Sequence, residues 1–318
     1  MKIGVIGAGI AGLSAAREAA TKGHHVTVFD KGRGAGGRLS TRRVTVGDKE
    51  FRFDHGAPKF DVTQPAFREQ VLDWHEDGHV RPWFPGTNEP RLNPEFWVGS
   101  PSMNSLVKGL ASGLDVRFSH RATSIEQMSN GWEIGFDGVA DSFTCDRLIV
   151  AIPAEQAAEL LHGGSELLAN VARSVRTLPV WSVMLGYDSP TGLPFELARP
   201  KSGPIATIIF NSSKPERSPT SDTLVLQART DWSALHVDDD PMSVVEQLKS
   251  ALVQEVGVNL PDPAVAEAHR WRYALTARPV GETCLLDDDK GIGICGDWLL
   301  GTGVADAWQS GVALGRQV

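Results

Sequence analysis

The chemistry legible in this chain lies in two glycine clusters and one late acid–glycine turn. The first cluster is Gly7-Ala8-Gly9-Ile10-Ala11-Gly12. Its spacing suits a backbone that must approach a pyrophosphate. Gly7 opens a tight turn, Gly9 leaves room for the phosphates, and Gly12 lets the following helix lie close to a strand. The helix N-terminus, with Ile10 and Ala11, then turns its amides toward the anion. Asp30 stands near the spacing at which an acid accepts from ribose hydroxyls. The second cluster, Lys31-Gly32-Arg33-Gly34-Ala35-Gly36-Gly37-Arg38, follows at once. A second glycine turn, with Lys31 at its start and Gly37-Arg38 at its end, can wrap a long pyrophosphate from the other side. The Arg38 guanidinium would pair with phosphate oxygens as a fork.

The third element is Cys295-Gly296-Asp297-Trp298, then Gly301-Thr302-Gly303-Val304. Here Asp297 can accept from ribityl hydroxyls. A helix starting at Gly303-Val304 would aim its positive end at a flavin pyrimidine edge and favour the reduced, negatively charged ring. The first cluster does not separate FAD from NAD. The second and third point to FAD.

These motifs need elements to hold them. Residues 2–6 read as an apolar strand, 13–22 as a helix ended by Gly23, and 25–29 as the next strand. Residues 31–43 carry five basic residues, four glycines and no acid. A helix-like stretch and a loop rich in Pro and Trp span 62–98. A helix over 101–110 would be capped by Ser100 or Ser102. Strands are expected over 116–121, 131–136 and 147–152, and a helix over 154–161. From Val180 the pattern changes to strands at 181–187, 205–210 and 223–228, a helix over 241–256, and a strand at 269–274. A buried strand at 291–295 and a helix over 303–315 close the chain.

The expected fold is therefore α/β: a Rossmann-type FAD-binding domain with an inserted α+β substrate domain containing a mixed or antiparallel sheet. The division expected is 1–62, 99–155 and 285–318 for the FAD-binding domain, and 63–98 and 156–284 for the substrate domain. A ligand cleft belongs between them.

Composition narrows the function. Of 318 residues, 41% are hydrophobic and 22% charged, with a net charge of −8. An acidic chain argues against nucleic acid or an anionic membrane as partner. Cys145, Cys284 and Cys295 form no CxxC or Cys/His cluster, so neither a disulfide framework nor a metal site is expected. Cys145 and Cys295 sit in apolar runs and read as buried thiols. Free thiols suit a reducing, cytoplasmic setting. The start of the chain, interrupted by glycines, reads as strand and helix rather than a leader.

The motifs together resemble the flavin amine oxidase superfamily, and within it the bacterial renalases. The resemblance rests on the first cluster with Asp30, the run Lys31–Arg38, and Asp54-His55-Gly56-Ala57. The Trp97–Met103 region, His269-Arg270-Trp271 and Gly296-Asp297-Trp298 add to it. It implies that Gly56 and Ala57 join the cofactor site. It also implies oxidation of aberrant dihydro isomers of NAD(P)H, with dioxygen as acceptor. This chain departs from those relatives at His55-Gly56-Ala57-Pro58-Lys59, where they have Leu-Gly-Ala-Gln-Tyr. It also has Ala305-Asp306 where they carry an acid directly after the late valine.

Hydride transfer to a flavin needs no acid–base pair from the protein. A nicotinamide-like substrate would need a flat aromatic wall. Trp83, Trp97, Trp181, Trp232 and Trp271 are candidates. In a strand, His269, Trp271 and Tyr273 share one face and Arg270 and Arg272 the other. Either face could line the cleft, and the arginines could hold a phosphate. Lys59 is a further candidate, since some relatives place a lysine near the reacting flavin atom. No cysteine stands in the Gly296–Gly311 motif, so the FAD is expected to be noncovalent. Two other readings stay open: an oxidase of small amines, and a flavin-binding protein without turnover.

Overall fold

The computed structural model describes residues 1–88, 95–217 and 221–318. Its main sheet has six strands in the order Leu285–Asp287, Ile292–Ile294, Arg147–Val150, Lys2–Ile6, His25–Phe29 and Asp115–Arg117. All neighbours are parallel except the first pair, which is antiparallel. Both ends of the chain thus build one sheet.

Strand alternation explains why both faces of this sheet are covered. Ile3, Val5 and Ile149 point to one side, into a core shared with the helices Ile10–Thr21, Pro65–Glu76, Ser105–Ala111 and Val304–Gly315. Ile6, Leu148 and Val150 point to the other side. There they meet a three-stranded antiparallel sheet, Ala122–Met128, Gly131–Phe136 and Val139–Cys145, and the helices Ala154–Leu161 and Glu166–Ser174. Each fully buried aliphatic side chain contributes about 1.5–3 kcal/mol.

A second body is a five-stranded sheet in the order Leu197–Ala198, Ile205–Phe210, Asp222–Ala228, Thr177–Tyr187 and Val265–Thr276. Its pairs are antiparallel throughout. Val183, Leu185, Leu224 and Leu226 face the helix Pro241–Val256, which answers with Val244, Val245, Leu248 and Leu252. That helix is sharply bounded. Asp240 accepts from the Met242 and Ser243 amides, and Gly257 ends it at φ 68°. The opposite face of the sheet, with Met184, Ile209 and Val225, packs into the first core.

Several expectations need correction. The helix expected from Pro101 starts at Ser105, and neither Ser100 nor Ser102 caps it. The Ser100 hydroxyl donates to Glu216 and the Ser102 hydroxyl to Asn104. The Met103 amide is used elsewhere, donating to buried Asp54 at 3.0 Å. The Pro- and Trp-rich stretch is not loop throughout. Val80–Trp83 pairs antiparallel with Phe96–Gly99, and residues 89–94 of that expected loop lie outside the described residues. Residues 116–121 hold the end of one strand and a turn, and a separate strand begins at Ala122. Among the described residues, no helix is long and apolar enough to cross a membrane.

A fully buried ion cluster joins the two bodies. Asp54 accepts from Lys214 Nζ at 3.0 Å and from Arg217 at 2.7 Å. It also accepts from the Thr41 hydroxyl at 2.7 Å. Burial alone would raise the Asp54 pKa. The two cations overcome it and hold the carboxyl well below its usual range. Removing the carboxylate would strand two buried charges. Asp54→Asn is therefore expected to lose about 3–5 kcal/mol in equilibrium denaturation. A loss under about 1 kcal/mol would show that Lys214 and Arg217 find other partners.

Candidate active site

A cavity of about 1720 Å³ runs between the two sheets. A single drug-sized ligand needs roughly 300–1,000 Å³, so a dinucleotide and a second ligand fit together. Gly7, Gly9, Ile10, Ala11, Asp30, Lys31, Gly37, Arg38, Gly56, Ala57, Gly296, Asp297, Gly303 and Val304 line it. So do Lys59, His269, Arg270, Trp271 and Arg272. Gly12 stands behind the wall, where a Cβ would lie 2.0 Å from the Gly7 carbonyl oxygen.

The first glycine turn fits a pyrophosphate. Gly7 adopts φ +110°, which side-chain-bearing residues rarely reach. Gly9 faces open space, with nothing within 4 Å of an added Cβ. The helix that starts at Ile10 has no side-chain cap and no acid in its first turn. Its N-terminal amides are left for an anion in the cavity. Asp30 braces this cradle. It accepts from the Ala8 amide at 2.7 Å and the Gly32 amide at 2.6 Å. Its carboxylate thus holds both glycine turns in place beside the position where a ribose would pass.

Arg38 and Asp297 meet each other across the cavity. Arg38 Nη1 donates to Asp297 Oδ2 at 2.7 Å, and Nη2 donates to Oδ1. Nη1 also donates to the Ala274 carbonyl at 2.9 Å. Burial opposes the Arg38 charge, but the Asp297 carboxylate overcomes this and raises its pKa. The sequence reading gave these two residues separate partners on the cofactor. The fold makes them one bidentate pair.

The substrate side is built around His55. Its ring meets His269 edge-on at 4.9 Å and Trp271 at 5.1 Å. The Trp271 indole donates to the His55 carbonyl at 2.9 Å, and Gln227 donates to the Gly56 carbonyl at 2.7 Å. The second sheet therefore grips residues 55–56 from above. His55 is 6% exposed, and its Nδ1 has no hydrogen-bond partner. Burial lowers its pKa to about 4, aided by His269 and Arg42. Lys59 sits with its Nζ 3.5 Å from the Phe96 ring centroid. Burial lowers its pKa to about 8; Asp61 opposes that shift and Arg199 adds to it.

Of the five tryptophans read as a possible wall, Trp271 lines the cavity. Trp83 and Trp97 are buried in the first core. Trp181 donates to the His236 carbonyl, and Trp232 stacks on the His236 ring. Trp298, not among the five, also lines the cavity and donates to the Ile152 carbonyl. The His269–Tyr273 strand does alternate as expected near its start. His269 and Trp271 face His55, while Arg270 and Arg272 both donate to Asp238. Tyr273 lies just beyond, where the ladder slips between Leu178 and Val180. The sequence reading missed Arg199, Thr207, Gln227 and Arg229, all in the lining. For Thr207 and Gln227 the usable signal was a polar side chain within an otherwise apolar strand.

Residues 5–73 match the NAD(P)-binding Rossmann-like domain. Residues 95–318 match the flavin containing amine oxidoreductases. The chain belongs to that family. The family is one of flavin-containing oxidoreductases. Over 56 residues, 18% of this chain, it is 46% identical to 4,4'-diapophytoene desaturase of Staphylococcus aureus, a match that spans 10% of that enzyme. The fold matches a protein from Exiguobacterium sp. 255-15 assigned as a protoporphyrinogen oxidase, with TM-score 0.76 and 14% identity. That likeness covers 99% of this chain and 98% of the other. Cyclohexylamine oxidase from Brevibacterium oxydans IH-35A matches with TM-score 0.73 and 12% identity, over 99% and 97% of the two chains. A putrescine oxidase bound to putrescine matches with TM-score 0.68 and 12% identity, over 100% and 98%. At such identities these likenesses show the fold.

Two outcomes follow for the site. Gly9→Val fills the cradle without touching protein, so the purified variant is expected to be folded yet to have lost its visible flavin absorbance. Flavin retained at wild-type stoichiometry would remove Gly9 from the cofactor site. For His55, the folded pKa of about 4 lies below the ordinary 6.5, so the unfolded chain takes up the proton first. Stability is full above about pH 6.5 and falls as pH drops toward 4. The expected loss is about 2 kcal/mol between pH 7 and pH 5. His55→Phe should flatten this dependence in denaturant titrations, and an unchanged slope would place its origin elsewhere.

Proposed function

We propose that this protein is a renalase-like oxidase of dihydro-NAD(P) isomers, with noncovalent FAD and with dioxygen as acceptor. The charge on its substrate face carries this reading. Lys59 and Arg199 line that face without a carboxylate partner among the described residues. Asp61 is the carboxylate that acts on Lys59, and it offsets only part of the shift that burial imposes. A protonated alkylamine would meet like charge there. A planar ring that carries phosphates meets complementary charge and aromatic surface.

The FAD, when bound, supplies a two-electron acceptor for the hydride that leaves the dihydropyridine carbon, and its electrons pass on to dioxygen. The chain's own residues position the substrate. Trp271 is fixed edge and plane by its bond to the His55 carbonyl, and His55 packs against it as a neutral ring above about pH 4. Together with His269 they offer flat aromatic surface for a pyridine ring. Gly7, Gly9, the Ile10 helix start and the Gly34–Arg38 turn would hold the pyrophosphate. The Gly303-Val304 helix start would face the flavin pyrimidine edge. Among the described residues the cavity lining contains no cysteine, which supports noncovalent binding. We also propose that residues 1–62, 99–155 and 285–318 act as the FAD-binding unit and residues 63–98 and 156–284 as the substrate unit.

The test is anaerobic stopped-flow absorbance of the oxidised flavin band. Dihydro-NAD isomers, ordinary NADH and a simple amine are mixed with the holoprotein in parallel. Fast bleaching by an aberrant isomer alone is the expected result. Bleaching by the amine instead would assign the site to amines, and no bleaching at all would assign a binding role without turnover. Acid precipitation should release the flavin into the supernatant; retention on the protein would mean a covalent bond.

A further inference from the structure

We propose that Lys59 and Arg199 form an anion subsite at the substrate end of the cavity, and that it takes a phosphate group of the nucleotide substrate. This inference rests on the nucleotide reading of the site and names the residues that recognise its charge.

The two cations arrive from separate elements. Lys59 precedes Phe60, which bridges to Trp97. Arg199 follows Leu197–Ala198, the edge strand of the five-stranded sheet. Both side chains line the cavity. Neither makes a hydrogen bond or ion pair with any described residue. Six other cations of the lining are engaged. Arg38 holds Asp297, Arg270 and Arg272 hold Asp238, and Arg229 donates to the Gly203 and Pro200 carbonyls. Arg42 lies 3.6 Å from Glu267, and Lys31 donates to Gln156. Arg33 and Arg121 are also unpaired, but they flank Asp30 at the cofactor end, where His120 donates to the Asp30 carbonyl.

Lys59 is half-buried and Arg199 exposed, and two like charges that act on each other raise each other's energy. Arg199 and the surrounding burial both disfavour the Lys59 charge, and Asp61 offsets this only in part. Lys59 is nonetheless held in place over the Phe96 ring rather than splayed into solvent. A phosphate between the two cations would remove the repulsion and accept from both. The planar surface of His55 and Trp271 lies in the same cavity. One molecule with a ring at one end and a phosphate at the other can use both features.

The experiment uses the FAD-loaded protein, so that the cofactor already fills its own end of the cavity. ADP-ribose and nicotinamide riboside, which lacks a phosphate, are titrated in turn and binding is read by calorimetry. ADP-ribose is expected to bind, more weakly as salt rises. Lys59→Gln and Arg199→Gln should each weaken it about tenfold, and Lys59→Arg should restore most of the loss. Nicotinamide riboside, a pyridinium cation without phosphate, should not be weakened by either substitution. Unchanged ADP-ribose affinity in both Gln variants would overturn the subsite, as would equal weakening of both probes. Flavin content of each variant reports whether the fold is intact. The outcome separates from the functional reading. If no dihydropyridine bleaches the flavin but ADP-ribose binding still depends on Lys59 and Arg199, the subsite stands and the oxidase reading falls. If an isomer bleaches the flavin with the same KM in the Gln variants, the oxidase reading stands and the subsite falls.

Discussion

The bidentate pair between Arg38 and Asp297 is the constraint around which this molecule is arranged. Arg38 ends the second glycine turn, and Asp297 opens the last turn before the final helix. With its bond to the Ala274 carbonyl, the same guanidinium also reaches the second sheet. Three stretches distant in sequence therefore converge on one planar group. Asp297 is 2% exposed, and Arg38 is the partner that offsets the cost of burying it. Lysine could not serve in its place, because a point charge has no fork to satisfy two oxygens and a carbonyl together. The Asp54 cluster is a second tie of this kind, joining the Arg42–Phe53 hairpin to the Asn211–Arg217 turn.

Much of this was legible in the sequence. The first strand, the glycine turn and the first helix announce themselves through local chemistry. So does the helix Pro241–Val256, bounded by an acidic cap and a glycine. Such signals depend on neighbours within a few residues. The pairings that shape the cavity do not. Nothing near Asp54 tells that Lys214 and Arg217 will meet it, and nothing near Arg270 and Arg272 points to Asp238. The tryptophans mislead for a related reason. An indole suits a core as well as a ligand wall, and only the fold decides which of the five faces the cleft. The helix expected at Pro101 begins late because the Met103 amide serves a buried carboxylate from another part of the chain.

Electrostatics divides the cavity along its length. At the cofactor end, acids are spent on backbone amides or on Arg38, leaving amides and glycines to meet phosphates. At the substrate end the free charges are positive. Burial, with Arg42 close by, lowers the pKa of both His55 and His269. The same segment that departs from the renalase pattern, His55 to Lys59, supplies both the neutral ring and one of the free cations.

The main sheet also dictates an order of assembly. Arg147–Val150 has Ile292–Ile294 as its parallel neighbour, yet residues 151–291 intervene. During synthesis the Arg147–Val150 strand keeps one edge unpaired until residues 292–294 have emerged. The antiparallel sheet, whose contacts are more local, can form in that interval. The final strand then closes the main sheet and delivers Gly296 and Asp297 to Arg38 in the same event. A chain cut short of Ile292 would therefore lack the Asp297 half of the Arg38 pair and expose an open strand edge of the kind that draws other chains into aggregates.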